Sequence, residues 1–314
     1  MKKLQMCAGK SLSFEEGCNR YLENCRQRNL REGTINHYRQ SYVQFFKFFD
    51  PNMPIEEMDQ EEYKKYVLHL RATLHNDVSI NAYLRDFIAT MHFLMNEGYV
   101  TPFKMQSIKV DKNHVETYTD QELQLLLKKP NIKKCKFNEY QSWVMTNFLF
   151  CTGVRQRSLM NIKVKDVDFD NRVVYVNVTK NRKPLIVPLN PTMVNILTEY
   201  LKYRQHKSEE DYLFCNIFGQ QLVKSTCYHM LYHYNKRRGV KTTGIHRYRH
   251  TFAKQWILSG GNVVSLSKLL GHSSLDITQN YIHLLVSDLS KQVEEINVLD
   301  KFSGKKHISL RKSL

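Results

Sequence analysis

From residue 12 to about residue 100 the apolar positions recur at intervals of three and four, the period of helices that bury one face. The plainest stripe is Ile35, Tyr38, Tyr42, Phe45, Phe46 and Phe49, opened by Gly33-Thr34 and ended at Asp50-Pro51. Another runs through Ile80, Leu84, Phe87, Ile88, Met91 and Leu94, with Ser79 as the expected N-cap and Gly98 as the stop. Between them, Ile55 to Ala72 predicts a third, more charged helix, and residues 12–100 predict four helices in all. The Phe and Tyr stripes read as core rather than as a platform for stacking bases. The polar faces carry Asn36, Arg39, Lys47, Asn81 and Arg85, and any nucleic-acid contact would come from there.

The pattern breaks over residues 101–115, where Thr101-Pro102, Lys104, Lys109, Lys112 and His114 make a polar, basic linker. Thr119-Asp120-Gln121-Glu122 is a capping-box sequence, so a second domain begins near residue 116. After the apolar run from Trp143 to Leu149 the period drops to two. Val174, Val176 and Val178 alternate with Tyr175 and Asn177, which predicts a strand. Residues 179–183 form a basic turn, and Pro184 to Leu189 returns as the partner strand of a hairpin. Helical patterns then continue to about residue 299, and residues 300–314 form a basic tail. The expected fold is mainly α with a small antiparallel β-sheet. It comprises an N-terminal segment 1–11, a helical domain 12–100, the linker 101–115 and an α+β domain 116–299.

Composition narrows the partners. A chain of 314 residues suits about two domains, each large enough to bury its own core. Lys and Arg number 47 against 30 Asp and Glu, and the net charge of +17 makes nucleic acid the first partner to consider, ahead of an anionic membrane. With 42% hydrophobic residues the chain is not a basic disordered tail. No stretch reaches the ~18 apolar residues of a membrane span, and no signal-peptide core follows Met1-Lys2-Lys3. The seven cysteines are scattered and contain no C-x-x-C, which argues against a disulfide framework or a zinc finger. The chain reads as cytoplasmic, with reduced thiols.

Four clusters point to one kind of chemistry. Thr152-Gly153-Val154 precedes Arg155, Lys180 sits in the hairpin turn, and His246 and Arg249 are three apart and share a helical face. Leu270-Gly271-His272 is followed nine residues after the histidine by Tyr281. Gly271 reads as a helix end and Ser273 or Ser274 as the next cap, so His272 and Tyr281 can face one site. The guanidinium fork matches a phosphodiester's non-bridging oxygens. A tyrosine can attack phosphorus when its proton is removed and the developing charge is neutralised, and a lysine can protonate the departing oxygen. The clusters lack carboxylates for two Mg²⁺ ions, so a protein nucleophile without metal or other cofactor fits better. His246 and His250 are four apart but lack the intervening Glu of a zinc protease.

Taken in order, Thr152-Gly153-Val154-Arg155, Lys180 seven residues before Val187-Pro188-Leu189, His246-x-x-Arg249-His250-Thr251-Phe252-Ala253, and Leu270-Gly271-His272 with Tyr281 resemble the tyrosine recombinases, or phage-integrase family, over nearly the whole chain. The resemblance implies a helical core-binding domain of the SAM-like kind and an α+β catalytic domain that together clamp duplex DNA. In that scheme Tyr281 forms a 3′-phosphotyrosyl link, Arg155 and Arg249 stabilise the phosphorane, Lys180 is the general acid, and His246 and His272 assist. It also implies a homotetramer on paired DNA sites, monomeric or weakly associated when free, acting in the bacterial cytoplasm or nucleoid. Arg182, Lys183 and Arg247 join the candidate DNA contacts. The family run R-[IL]-S-E-L appears here as Arg155-Gln156-Arg157-Ser158-Leu159, with serine in place of the acid and Arg157 as an alternative phosphate ligand. A type IB topoisomerase and a non-catalytic relative are the rival functions. Within the family, a mobile-element integrase is preferred over a chromosome-dimer resolvase of the Xer type, because His206–Asn235 and Arg157-Ser158 diverge from the latter. No separate arm-binding domain is expected ahead of residue 12. The stripe Leu285, Leu289, Val293 and Ile296 predicts a further helix that packs on its own domain or on a neighbouring protomer.

Overall fold

The computed structural model describes residues 12–110 and 116–272. The chain divides into two compact units, residues 1–113 and 114–314.

The first unit contains α1 (Phe14–Gln27), α2 (Glu32–Phe45), α3 (Gln60–Thr73) and α4 (Asp77–Asn96). Ser13 and Glu16 close a capping box on α1. Three boundaries differ from the sequence reading. The segment from Ile55 to Ala72 is not one helix: Ile55–Glu57 is a single 3₁₀ turn, and the Asp59 side chain then accepts from the Glu61 and Glu62 N–H groups to start α3 afresh. Asn76, not Ser79, caps α4, because its side-chain oxygen takes the Val78 and Ser79 N–H groups. The α2 helix ends at Phe45, although Phe49 stays buried. The aromatic stripes are core: Phe14 and Phe49 rings meet at 5.2 Å, and Phe87 lies 5.3 Å from both Phe45 and Tyr66.

Part of the expected linker also belongs to this unit. Phe103, Met105 and Ile108 pack against its core. Asn81 holds Ile108 from both sides, donating to its carbonyl at 2.7 Å and accepting from its N–H at 3.0 Å. The Tyr63 hydroxyl donates to the Gln106 carbonyl at 2.8 Å.

The second unit runs α5 (Asp120–Leu127), α6 (Phe137–Thr152), α7 (Gln156–Leu159), β1 (Val167–Asp168), β2 (Val173–Val176), β3 (Leu185–Pro188), α8 (Pro191–Arg204), α9 (Lys224–Arg237), α10 (Ile245–Leu258) and α11 (Val263–Leu270). Thr119 and Glu122 form the expected capping box on α5. The sheet is antiparallel in the order β1-β2-β3, with Val174 opposite Val187 and Tyr175 opposite Ile186. Val174 and Val176 are buried while Tyr175 faces out, the alternation of a one-sided sheet. Helix α6 is the spine: Val144, Met145, Phe148 and Leu149 are fully buried, and it packs on α8, α9 and α10. This is the mainly helical fold with a small antiparallel sheet that the patterning predicts. Among the described residues no helix is long and apolar enough to cross a membrane.

Candidate active site

Gly153 ends α6 in the left-handed region, at φ +60°. A Cβ there would lie 2.5 Å from the Phe252 ring and 2.8 Å from Leu270 Cδ2, so both the turn and the packing require glycine. The chain then passes through buried Val154 to Arg155, the N-cap position of α7. Arg155 Nη1 donates to the Leu270 carbonyl at 3.4 Å. From α10, Arg249 reaches the same place. It is 5% exposed, and donates from Nη1 to the Gly153 carbonyl at 2.8 Å and from Nη2 to the Leu270 carbonyl at 2.7 Å. Helix α11 stops at Gly271, φ +59°, which places His272 with its Nε2 2.7 Å from Arg249 Nη2. Since the guanidinium can only donate, His272 Nε2 accepts, and the network assigns the ring proton to Nδ1.

Three hydrogen bonds hold the hairpin turn beside these groups. The Ser158 hydroxyl donates to the Val178 carbonyl at 2.8 Å. Thr179 Oγ1 donates to the Lys183 carbonyl at 2.7 Å, and Asn181 Nδ2 to the Gly271 carbonyl at 3.2 Å. Ser158 therefore fastens α7 to the hairpin.

Together these elements enclose a cavity of about 400 Å³, lined in part by Arg155, Asn181, Lys183, Arg249, Lys268 and His272. Among the described residues no acidic side chain lines it. Three imidazoles register the positive field. Burial, then the charges of Arg249 and Arg155, lowers the His272 pKa to about 4. Burial, His246 and Arg249 lower that of His250 to about 4. His246 is lowered by lost hydration first, then by Arg249, Arg155, Lys224 and Lys180. The arrangement is a concentrated cationic site with neutral imidazoles beside it, suited to a phosphate whose charge grows during reaction.

Of the residues expected from sequence, Arg155, Arg249 and His272 meet at the cavity, and His246 stands within reach of their charge. Lys180 is exposed and does not line the cavity, whereas Lys183 does. Arg157 is exposed and also lies off it. Tyr281, Ser273, Ser274 and the stripe from Leu285 to Ile296 lie outside the described residues. Sequence reading missed Lys268 and Asn181. The signal for Lys268 was its place in the last helical turn before Leu270-Gly271-His272; Asn181 carried none beyond its place beside Lys180.

The other candidate contacts are distributed differently. Asn36 accepts from Arg39 at 2.6 Å, Arg39 also pairs with Glu32 at 3.1 Å, and Arg85 Nε donates to the Asn81 carbonyl at 3.3 Å. Asn81 is engaged with Ile108. Arg247 pairs with Glu116 and lies over the Tyr118 ring at 5.4 Å, so its guanidinium serves the packing of its own unit.

The model of the phage integrase family matches residues 116–287. Tyrosine recombinase XerD of Staphylococcus epidermidis is 24% identical over 281 residues, spanning 86% of this chain and 94% of that protein. Among solved structures, the Tn1549 transposon integrase in complex with transposon right end DNA aligns with a TM-score of 0.73 at 20% identity, covering 91% of this chain and 100% of that one. The XerH site-specific recombinase, bound to a palindromic difH substrate, aligns with a TM-score of 0.69 at 19% identity, covering 90% and 85%.

Proposed function

Because the chain belongs to the phage integrase family, we propose that it is a site-specific DNA recombinase that cuts and rejoins duplex DNA through a 3′-phosphotyrosyl intermediate. The observation that carries the reading is the pair Arg155 and Arg249 converging on the Leu270 carbonyl, beside His272, in a cavity whose described lining has no acid. In this reaction the Tyr281 oxygen attacks the scissile phosphorus while the two arginines hold its non-bridging oxygens. The bond to the 5′ oxygen breaks, and that oxygen takes a proton from a hairpin lysine. The free 5′-hydroxyl of a partner strand then attacks the phosphotyrosyl link, so bonds are exchanged with no net hydrolysis and no need of ATP. His246 is proposed to accept and return the proton of the attacking tyrosine, and His272, whose Nε2 is engaged with Arg249, to assist by hydrogen-bonding the phosphate from Nδ1.

The substrate is double-stranded DNA, bound by a homotetramer on paired sites. Asn36, Arg39, Lys47 and Arg85 of the first unit, with Arg182 and Lys183 of the hairpin, are the proposed backbone and groove contacts. The finer reading is a mobile-element integrase rather than a chromosome-dimer resolvase, supported by the divergent Arg157-Ser158 pair and the segment His206 to Asn235.

The test begins with a footprint on DNA flanking the gene, which supplies a nicked suicide substrate. Wild-type protein should accumulate a 3′-linked covalent adduct in excess EDTA, and Tyr281→Phe should bind the same DNA and form none. An adduct from Tyr281→Phe would remove the nucleophile assignment. Lys180 is proposed as the general acid, with Lys183 as the second reading because Lys183 lines the cavity. Replacing the acid should slow cleavage by about 10²–10⁴, and a 5′-bridging phosphorothiolate, whose sulfur leaves without a proton, should restore it. Rescue in Lys183→Ala but not in Lys180→Ala would transfer the role.

A further inference from the structure

Helix α10 turns two different faces to its surroundings. At 100° per residue, His246, Arg249 and His250 fall within about 100° of one another, and Arg247, Tyr248 and Thr251 fall on the far side. That far side is held by a buried polar bracket. Tyr248, fully buried, donates its hydroxyl to Asn235 Oδ1 of α9 at 2.7 Å. Asn235, also fully buried, donates from Nδ2 to the Tyr118 hydroxyl at 2.9 Å. Tyr118 comes from the segment leading into α5, and its own N–H donates to Thr251 Oγ1 of α10 at 2.9 Å. The Tyr118 and Tyr248 rings meet at 5.0 Å, and Phe150 of α6 closes on Tyr248 at 4.9 Å.

Apolar packing would hold α10 in place while leaving it free to roll slightly, because dispersion contacts have little direction. Hydrogen bonds in a buried core fix an angle as well as a distance. The angle matters here because Arg249 must reach two carbonyls and His272 at once. A roll of about 10° moves a side-chain tip, ~5–6 Å from the helix axis, by about 1 Å. A misplacement of that size can cost about 10²-fold in rate. We propose that Tyr118, Asn235 and Tyr248 are positioning residues that set the roll of α10 and so aim Arg249 at the scissile phosphate. The inference rests on the recombinase reading above.

The test removes the three polar side chains of the bracket together and leaves the Tyr118 N–H bond to Thr251 in place, using the triple variant Tyr118→Phe/Asn235→Leu/Tyr248→Phe. Deleting both partners of buried hydrogen bonds together is close to neutral for stability. The expected result is a midpoint of unfolding within a few degrees of wild type and a half-saturating DNA concentration within about twofold. The cleavage rate at saturating DNA should fall about tenfold. In an Arg249→Lys background the same triple change should slow cleavage less than twofold, since the group it aims is already gone. A triple variant that cleaves at the wild-type rate, or slows Arg249→Lys by the same factor as wild type, would overturn the proposal. If the triple variant does not fold, Tyr118→Phe alone goes through the same cycle with the same criteria. Absence of any adduct from the unmodified protein would overturn the recombinase reading, and this inference with it.

Discussion

At the scale of single residues, Gly153 is the position on which both arginines depend. Its left-handed backbone carries the chain from α6 to Arg155, and its carbonyl accepts from Arg249. In Gly153→Ala the new methyl must displace both the Phe252 ring and the Leu270 side chain, and Leu270 supplies the carbonyl shared by both guanidinium groups. Left-handed strain of roughly 1–2 kcal/mol and overpacking of roughly 1–3 kcal/mol should together lower stability by roughly 2–5 kcal/mol, measured by urea unfolding. The histidines give a prediction with a definite sign. His250 and His272 have pKa values near 4 in the folded protein, against an ordinary value of 6.5. Between those values the unfolded chain binds protons that the folded chain refuses, so stability is fully present above pH 6.5 and is lost as pH falls toward 4. The urea midpoint should decline across that window, and His272→Gln should decline less steeply. Parallel curves would mean that His272 keeps an ordinary affinity for its proton.

At the scale of elements, the β2–β3 hairpin is held by a ladder of four residue pairs and, beyond it, by side-chain pins at its turn. Ser158 holds Val178, Thr179 holds Lys183, and Asn181 reaches the Gly271 carbonyl at the base of the His272 loop. Ser158→Ala leaves the Val178 carbonyl without its donor in a largely buried place, at a cost of about 1–3 kcal/mol. Asn181→Ala removes an exposed contact and should change stability little. Both should slow cleavage several-fold with DNA affinity unchanged, because each frees the turn that carries the lysines. Wild-type rates in both would show that the pins do not govern the turn. Much of this was legible beforehand. The two-residue period over Val174 and Val176 gave the strand, the three-residue spacing of Thr119 and Glu122 gave the α5 cap, and the ordered motifs singled out Arg155, Arg249 and His272, which line one cavity. What was not legible has more than one cause, from a close local competition between caps to contacts across long sequence separations. Asn76 outcompetes Ser79 as a cap because its oxygen reaches two N–H groups. Phe103, Met105 and Ile108 follow no helix or strand period, so their packing on the first unit leaves no repeating signal. The bracket ties Tyr118 to Asn235, more than 100 positions away, and Asn235 to Tyr248 on the next helix.

At the scale of the whole molecule, the charge of +17 has to be read against where it is neutralised. Several surface cations are already paired: Lys64 with Glu61, Lys65 with Glu62, Lys129 with Glu199, and Lys163 and Lys165 with Glu210. Such pairs contribute little to stability, but they remove those lysines from the positive surface that a polyanion meets. The cavity is different, since Arg155, Lys183, Arg249 and Lys268 line it with no acid among its described residues. DNA binding should therefore be steeply salt-dependent, with log K falling linearly in log salt by about 0.9 for each phosphate neutralised. For roughly 6–10 phosphate contacts this means a loss of about 10³–10⁵ in affinity between 50 and 200 mM salt. Lys47→Ala and Arg182→Ala, each proposed to meet a phosphate, should each lower the magnitude of the slope by about one. Lys129→Ala, whose charge is held by Glu199, should leave it unchanged. Filter-binding titrations over that salt range on footprinted DNA measure all three slopes. Equal slopes in the three variants would mean that the residues bearing the DNA's charge lie elsewhere on the protein.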